Sequence, residues 1–158
     1  MKIIGIDPGT AACGFGVIEK NGQKISFLDT GVIATSKEKA PAERLATIYK
    51  SLIGLIKKFD PEVLAVEKLF FNTNSKTAIA VGEARGVILL AGAQRGLEIF
   101  EYTPLQVKIA LTGYGRAEKT QIQKMVKCLL GLSEIPKPDD AADALAIAIC
   151  HAASMRNF

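Results

Sequence analysis

The sequence predicts an α/β fold in which a mixed sheet of five strands carries helices on both faces. Three strand-like segments open the chain within residues 1–34. Two further apolar strands follow at 63–67 and 97–102, and each stands between segments that have apolar residues at helical spacing. No repeat or linker-like tract interrupts the 158 residues, so we expect a single domain over residues 1–158.

The first three strands are predicted at residues 2–7, 12–19 and 24–34. The first of them is a run of Ile and Gly that is typical of a buried strand. Asn21-Gly22 separates the second strand from the third, and this dipeptide is the strongest short hairpin signal because both residue types tolerate positive φ. We therefore expect an antiparallel meander at the start of the sheet.

The next helix and strand are predicted at residues 42–59 and 63–67. Pro41 stands at a helix start, and apolar residues then recur at helical spacing. Asp60-Pro61 ends that helix. The following segment is almost continuously apolar, which favours a buried parallel strand.

A long helix is predicted from Asn74 or Ser75, either of which can cap it, to about residue 94. The helix is apolar on nearly every side between Ala78 and Ala93, which indicates deep burial or contacts on two faces. One face can lie on the sheet. A second copy of the helix, related by a two-fold axis, would cover the other face and form a homodimer.

The C-terminal part of the chain adds a fifth strand and three helices. The strand is predicted at 97–102 and the helices at 104–111, 118–130 and 140–155, with the glycine-containing loop TGYGRAE between the first two helices. This order favours a sheet whose first strand is central and pairs in parallel with the fourth.

Composition and charge restrict the classes of function. The net charge of +4 and the pI of about 9.0 favour a polyanionic partner. Cys13, Cys128 and Cys150 form no CxxC pair, so we expect reduced thiols rather than a zinc site.

His151, which lies among Ala and Ile, is interpreted as structural. No signal peptide and no apolar run of roughly 18 residues is visible, so we expect a cytoplasmic protein without a membrane segment.

Four acidic residues stand where such a sheet binds ligands. Asp7 ends the first strand and Glu67 ends the fourth, so parallel pairing brings both carboxylates to one edge of the sheet. Asp140 and Asp143 stand three residues apart on one face of the last helix, near its start. Taken singly, Asp7 also fits a turn, and Asp140 also fits a helix N-cap with Asp143 in the first turn.

Together, the four carboxylates would repel one another unless a cation stood between them. Glu67 would be partly buried, which is costly for an acid without a partner. Hard divalent cations such as Mg²⁺ prefer carboxylate oxygens and retain waters for substrate phosphates. Two such ions about 4 Å apart can activate a water and stabilise the leaving oxygen of a phosphodiester. The acids therefore predict metal-assisted phosphodiester hydrolysis.

The segments IGIDPGTAACGFGVI, VLAVEKLFF and PDDAADALAIAI resemble the acidic motifs of the RuvC family, the bacterial Holliday junction resolvases. The segment QVKIALTGYGRAEKTQIQKMV is also similar, and the likeness covers essentially the whole chain. The order of elements resembles the ribonuclease H-like fold. The resemblance implies two Mg²⁺ ions per subunit, for which Mn²⁺ can substitute. It also implies a catalytic and metal-binding tetrad in which the family's D-A-A-D-A-L-A pattern selects Asp140 over Asp139; its members are Asp7, Glu67, Asp140 and Asp143.

The resemblance further implies how substrate is held. Lys108 and Lys119 lie in the segment that is similar to the family's DNA-contacting stretch, which makes them phosphate contacts rather than solvated helix lysines. Phe70 stands at the family's base-stacking position, while one of the pair Phe70-Phe71 fits the core. The family is homodimeric, nicks two opposing strands of a four-way DNA junction, and works with the RuvA and RuvB branch-migration proteins.

Two other functions share parts of this pattern. IGIDPGT also resembles the phosphate-binding hairpin of the actin-like ATP-binding proteins, but these close two such domains around a nucleotide and this chain has room for one. Another ribonuclease H-like nuclease, acting on RNA–DNA hybrids or duplexes, would carry the same acids. Phe70 and the two lysines favour the junction. Four intact acids disfavour a DNA-binding module without catalysis.

Overall fold

The computed structural model describes residues 1–70 and 75–155. Within these residues the strands are β1 (Lys2–Asp7), β2 (Ala12–Asn21), β3 (Lys24–Ala34), β4 (Val63–Glu67) and β5 (Glu98–Tyr102). The helices are α1 (Pro41–Phe59), α2 (Ser75–Gln94), α3 (Pro104–Thr112), α4 (Lys119–Leu130) and α5 (Asp139–Ser154). Each predicted element is confirmed. The predicted cap Asn74 and the aromatic Phe71 lie outside the described residues.

The strands form one mixed sheet in the order β3-β2-β1-β4-β5. β1 pairs antiparallel with β2, and β2 with β3, which confirms the meander. β1 pairs in parallel with β4, and β4 with β5, so the carboxyl ends of these three strands share one edge. The hairpin turn consists of Gly22 and Gln23, with Gly22 at φ 60°. Asn21 is the last residue of β2, so the turn lies one residue later than the Asn21-Gly22 turn that the sequence predicted.

Successive residues of the central strands face opposite sides of the sheet and build two cores. Ile3 belongs to a buried cluster formed with α3, α4 and α5. Ile4 and Ile6 belong to a second cluster, formed with α1 and α2. The predicted arrangement of helices on both faces is thus confirmed.

Helix α5 lies directly against β1 and β2 because glycines leave no side chain in between. A Cβ atom at Gly5 would overlap the carbonyl oxygen of Ala144, and one at Gly14 would overlap the carbonyl oxygen of Asp140. Alanines and other buried residues fill most of the helix surface. This close approach fixes the start of α5 relative to the end of β1.

Helix α2 buries one side and exposes apolar side chains on another. Ala84, Ile88 and Ala91 are buried in the cluster shared with α1 and the sheet. By contrast, Ile79 is 70% exposed and Leu90 is 52% exposed. Neither α2 nor any other helix within the described ranges is long and apolar enough to span a membrane.

Candidate metal centre and its two grooves

The four acids predicted from the sequence come from two strands and one helix. Asp7 is the last residue of β1 and Glu67 is the last residue of β4, and parallel pairing of these strands places both at one edge. Asp140 and Asp143 lie near the start of α5. A carboxylate oxygen from each of Asp7, Asp140 and Asp143 can be chosen so that all three lie within 4.8 Å of one another. Glu67 is not part of that tight group.

The start of α5 is set by backbone and ion-pair contacts rather than by a side-chain cap. Pro138 occupies the N-cap position and makes no capping hydrogen bond, so the alternative that Asp140 caps the helix is wrong. Asp139 accepts a hydrogen bond of 3.1 Å from Gln123 Nε2 and pairs with Lys119 Nζ at 3.3 Å. These contacts tie α5 to α4, leaving Asp140 to face Asp7.

The acids raise one another's affinity for protons. Burial raises the pKa of Asp7 to about 8, and the neighbouring Glu67, Asp143 and Asp140 add to that effect. Burial, followed by repulsion from Asp143, raises the pKa of Glu67. Glu67 therefore acts electrostatically on the same cluster. A cation is the natural counter-charge for such a group.

Lys119 partly offsets this repulsion. Its Nζ lies 3.3 Å from a carboxylate oxygen of Asp143 and 3.3 Å from one of Asp139. Burial raises the pKa of Asp143, while Lys119 acts in the opposite direction. Burial lowers the pKa of Lys119, but the attraction and hydrogen bonds of Asp143 and Asp139 together outweigh burial, and the pKa is raised overall. The lysine thus remains an ammonium at the rim of the cluster.

The donor set fits a hard divalent cation. Carboxylate oxygens suit Mg²⁺, Mn²⁺ and Ca²⁺, whereas zinc structural sites use sulfur and nitrogen ligands. Cys13 is buried close to Asp7 and Asp140. Burial raises its thiol pKa to about 12, and its sulfur is not part of the group of ligand atoms that converges within 4.8 Å. The observed residues therefore favour oxygen-only coordination.

Two grooves meet at Glu67 and Pro104. The first has a volume of about 220 Å³ and is lined by Asp143, Lys108 and Lys119 together with apolar residues of α3, α4 and α5. The second has a volume of about 230 Å³, and Phe70 is among the residues that line it. All three predicted DNA-contacting residues thus border the grooves beside the acids.

Two residues near the site were missed by reasoning from the sequence. The resemblance selects Asp140 over Asp139 and gives Asp139 no role, yet Asp139 pairs with Lys119 and accepts a hydrogen bond from Gln123. Arg85 lines the second groove and pairs with Glu101 of β5. An arginine within the mostly apolar stretch 78–93 was the signal that could have drawn attention to it, since such a charge needs a partner when partly buried.

Carboxylates at the ends of two parallel strands and at the start of the last helix, on this sheet order, define a metal-dependent nuclease of the ribonuclease H-like class. The RuvC family model, described as crossover junction endodeoxyribonuclease RuvC, matches residues 3–151. This chain belongs to the RuvC family.

Relatives and solved structures agree with that assignment. Crossover junction endodeoxyribonuclease RuvC of Caldicellulosiruptor saccharolyticus is 60% identical over 152 residues, which cover 96% of this chain and 92% of the relative. The protein of the same name from Halothermothrix orenii is 58% identical, with coverage of 99% and 94%. The structure of Thermus thermophilus RuvC in complex with Holliday junction substrate has a TM-score of 0.94 at 40% identity, with coverage of 99% and 95%.

Proposed function

We propose that this chain resolves four-way DNA junctions by hydrolysing one phosphodiester in each of two opposing strands. The observation that carries the proposal is the convergence of Asp7, Asp140 and Asp143, with carboxylate oxygens within 4.8 Å of one another, beside Glu67. The family membership and the likeness to a RuvC structure in complex with Holliday junction substrate support the junction as the target. The 158 residues act as one domain in this proposal.

The four acids are proposed to hold two Mg²⁺ ions per subunit, with Mn²⁺ as a substitute. When bound, such ions supply charge that activates a water and stabilises the departing oxygen. The protein's own contribution is to hold four oxygen-bearing side chains on rigid elements, so that little reorganisation is needed. Asp7 and Glu67 are fixed by the sheet, and Asp140 and Asp143 by α5.

Lys108 and Lys119 are proposed to position the strand by contacting phosphate. Both line the groove that also contains Glu67 and Asp143, and Lys119 reaches the carboxylate of Asp143 at 3.3 Å. A backbone phosphate approaching the acids would thus meet two ammonium groups at the rim of the cluster. Such contacts fix register and carry no sequence information by themselves.

Phe70 is proposed to stack on a base at the junction centre. Its side chain is 52% exposed, which is unusual for phenylalanine and leaves its ring available to a ligand. Bases at a branch point are already poorly stacked, so capturing one disrupts little pairing. Base–aromatic stacking contributes roughly 1–3 kcal/mol.

The chain is further proposed to act as a homodimer in the bacterial cytoplasm, together with RuvA and RuvB. The exposed Ile79 and Leu90 on the outer side of α2 support a two-fold interface there. Two subunits would supply the two sites that symmetric nicking requires. RuvA, RuvB and the cytoplasmic location rest on the family alone.

The metal-binding role is tested by replacing single acids. Four single variants keep the shape of the side chain and remove its charge: Asp7→Asn, Glu67→Gln, Asp140→Asn and Asp143→Asn. We expect each variant to bind labelled junction DNA about as well as the wild type and to lose cleavage by at least about 100-fold. Retained cleavage in any of them, or loss of junction binding together with cleavage, would contradict the role assigned to that acid.

A further inference from the structure

We propose that the second groove is a nucleobase pocket and that Arg85 reads the base of a nucleotide next to the scissile phosphate. The inference rests on the proposed function, since it assumes that the scissile phosphate lies at the acids. It adds a specificity-determining residue to that function.

The pocket stands immediately beside the acid cluster. It is lined by Pro8, Lys68, Leu69, Phe70, Val81 and Arg85, and it shares Glu67 and Pro104 with the groove that contains the two lysines. The two grooves are therefore neighbours along one surface. A strand whose phosphate lies in the charged groove presents its adjacent nucleotide to the second groove.

The walls of this pocket suit a planar, neutral group. Leu69, Val81 and two prolines supply apolar surface, and Phe70 supplies an exposed aromatic ring. Pockets that take a base out of a stack combine such surfaces with a few polar groups on the base edge. The volume of about 230 Å³ lies below the roughly 300–1,000 Å³ of pockets for drug-sized ligands, so the groove fits a single base rather than a larger molecule.

Arg85 is the polar group on that edge. Its Nη2 pairs with Glu101, and its side chain is 19% exposed, so the guanidinium is held in one place. The ion pair offsets the positive charge of Arg85, and Lys68 is a further cation of the lining. Within the described residues Arg85 Nε is buried without a hydrogen-bond partner. Arginine donors match the carbonyl and ring-nitrogen acceptors of bases, most of all those of guanine.

A branched junction makes this pocket accessible, because a base at the exchange point is weakly stacked and can be displaced at little cost. A base inside an uninterrupted duplex must first be unpaired. The pocket would therefore add sequence preference and would also favour the junction over linear DNA.

Two variants test the pocket, one by removing its hydrogen-bond donors and the other by filling its volume. Arg85→Met removes the donors and keeps the length of the side chain, while the partly exposed Glu101 remains solvated. Val81→Phe fills the pocket. Arg95→Met is the matched control, because Arg95 is exposed just beyond the end of α2 and outside the groove.

The substrates are junctions that carry each of the four bases in turn, or an abasic nucleotide, at the two positions that flank the cut. We expect the wild type to cut them at different rates and Arg85→Met to level these rates. In Arg85→Met, the cleavage rate of the junction with the preferred base should fall about 10-fold or more. The affinity of this variant for the junction should change by less than about twofold. Val81→Phe should be slow on base-bearing junctions and as fast as the wild type on the abasic one.

The possible results distinguish a failure of the pocket assignment from a failure of the proposed function. If Arg85→Met keeps the wild-type order of bases, or if Val81→Phe is equally slow on abasic and base-bearing junctions, the pocket assignment is overturned. If Arg95→Met levels the rates as Arg85→Met does, the effect is not local and the assignment fails as well. If the wild type cuts no junction at all, the proposed function itself is wrong.

Discussion

Asp7 combines partial burial with three acidic neighbours, and this combination makes its ionisation unfavourable in the metal-free protein. Its pKa of about 8 compares with 3.8 for an ordinary aspartate. Between these two values the folded protein binds more protons at this site than the unfolded chain does. The free energy of unfolding must therefore decrease as the pH rises through this interval.

We expect the melting temperature in chelator to fall between about pH 4 and pH 8, and Asp7→Asn to flatten this fall. At pH 8 the variant should melt at least about 2 °C above the wild type, the shift that about 1 kcal/mol produces in a domain of this size. Calorimetry in chelator measures the pH dependence of the melting temperature and the difference between the variant and the wild type at pH 8. Glu38→Gln, in an exposed loop, is the control and should follow the wild type. Parallel curves for wild type and Asp7→Asn would contradict the expectation.

Lys119 gives a second prediction for a single residue. Replacing it by Gln removes one phosphate contact, so the slope of log binding constant against log salt concentration should become shallower by about one. Binding titrations with junction DNA at several salt concentrations measure the slope. Lys57→Gln, at an exposed position on α1, should leave it unchanged. An unchanged slope for Lys119→Gln would show that Lys119 does not contact a phosphate of the DNA.

At the scale of elements, the site depends on how closely α5 approaches the sheet. The sequence predicts Asp7 and Glu67 at the ends of β1 and β4 because each acid directly follows an apolar run, which is a local pattern. Their meeting at one edge follows from the order of elements, which favours the parallel pairing of these strands. The start of α5 was also predicted to within one residue. The pairing of Lys119 with Asp139 was not, because it joins residues 20 positions apart through the packing of two helices. The Arg85–Glu101 pair was missed because it likewise depends on tertiary packing, here of helix α2 against strand β5.

The glycine at the contact of β2 with α5 provides the prediction for this scale. Gly14→Ala would place a Cβ on the carbonyl of Asp140 and push the start of α5 outward. We expect weaker Mg²⁺ binding by calorimetry and at least about a 10-fold loss of cleavage. Gly54→Ala is the matched control. Its Cβ would meet nothing within 4 Å, and we expect it to stabilise α1 by about 0.5–1 kcal/mol. Normal metal affinity in Gly14→Ala would show that this contact does not position the acid.

At the scale of the whole molecule, the residues that the structure describes hold one acid cluster per chain, and resolving a junction needs two cuts. The outer side of α2 offers the surface through which a second subunit could be recruited. A shallow apolar groove there is lined by Leu45, Tyr49, Val87 and Leu90 among others. The apolar residues on nearly every side of α2 predicted deep burial or contacts on two faces, but the sequence alone could not determine which side faces the sheet.

Leu90→Asp should therefore produce a monomer in light scattering at micromolar concentration while the fold is retained by circular dichroism. We expect this monomer to nick single strands without pairing the cuts. Leu129→Asp is the control, because it places the same charge at an exposed apolar position on α4. It should leave the oligomeric state unchanged. A wild type that is itself monomeric under these conditions would contradict the proposed interface.

The most direct measurement compares cleavage of a labelled four-way junction with cleavage of a linear duplex of the same sequence, with Mg²⁺ and with chelator, at a stated salt concentration. We expect paired, symmetric nicks in the junction with Mg²⁺ and none with chelator, and a linear duplex that stays intact. Equal cutting of the linear duplex would leave a nuclease but remove the junction as its target. Cutting in chelator would contradict the metal-dependent mechanism itself.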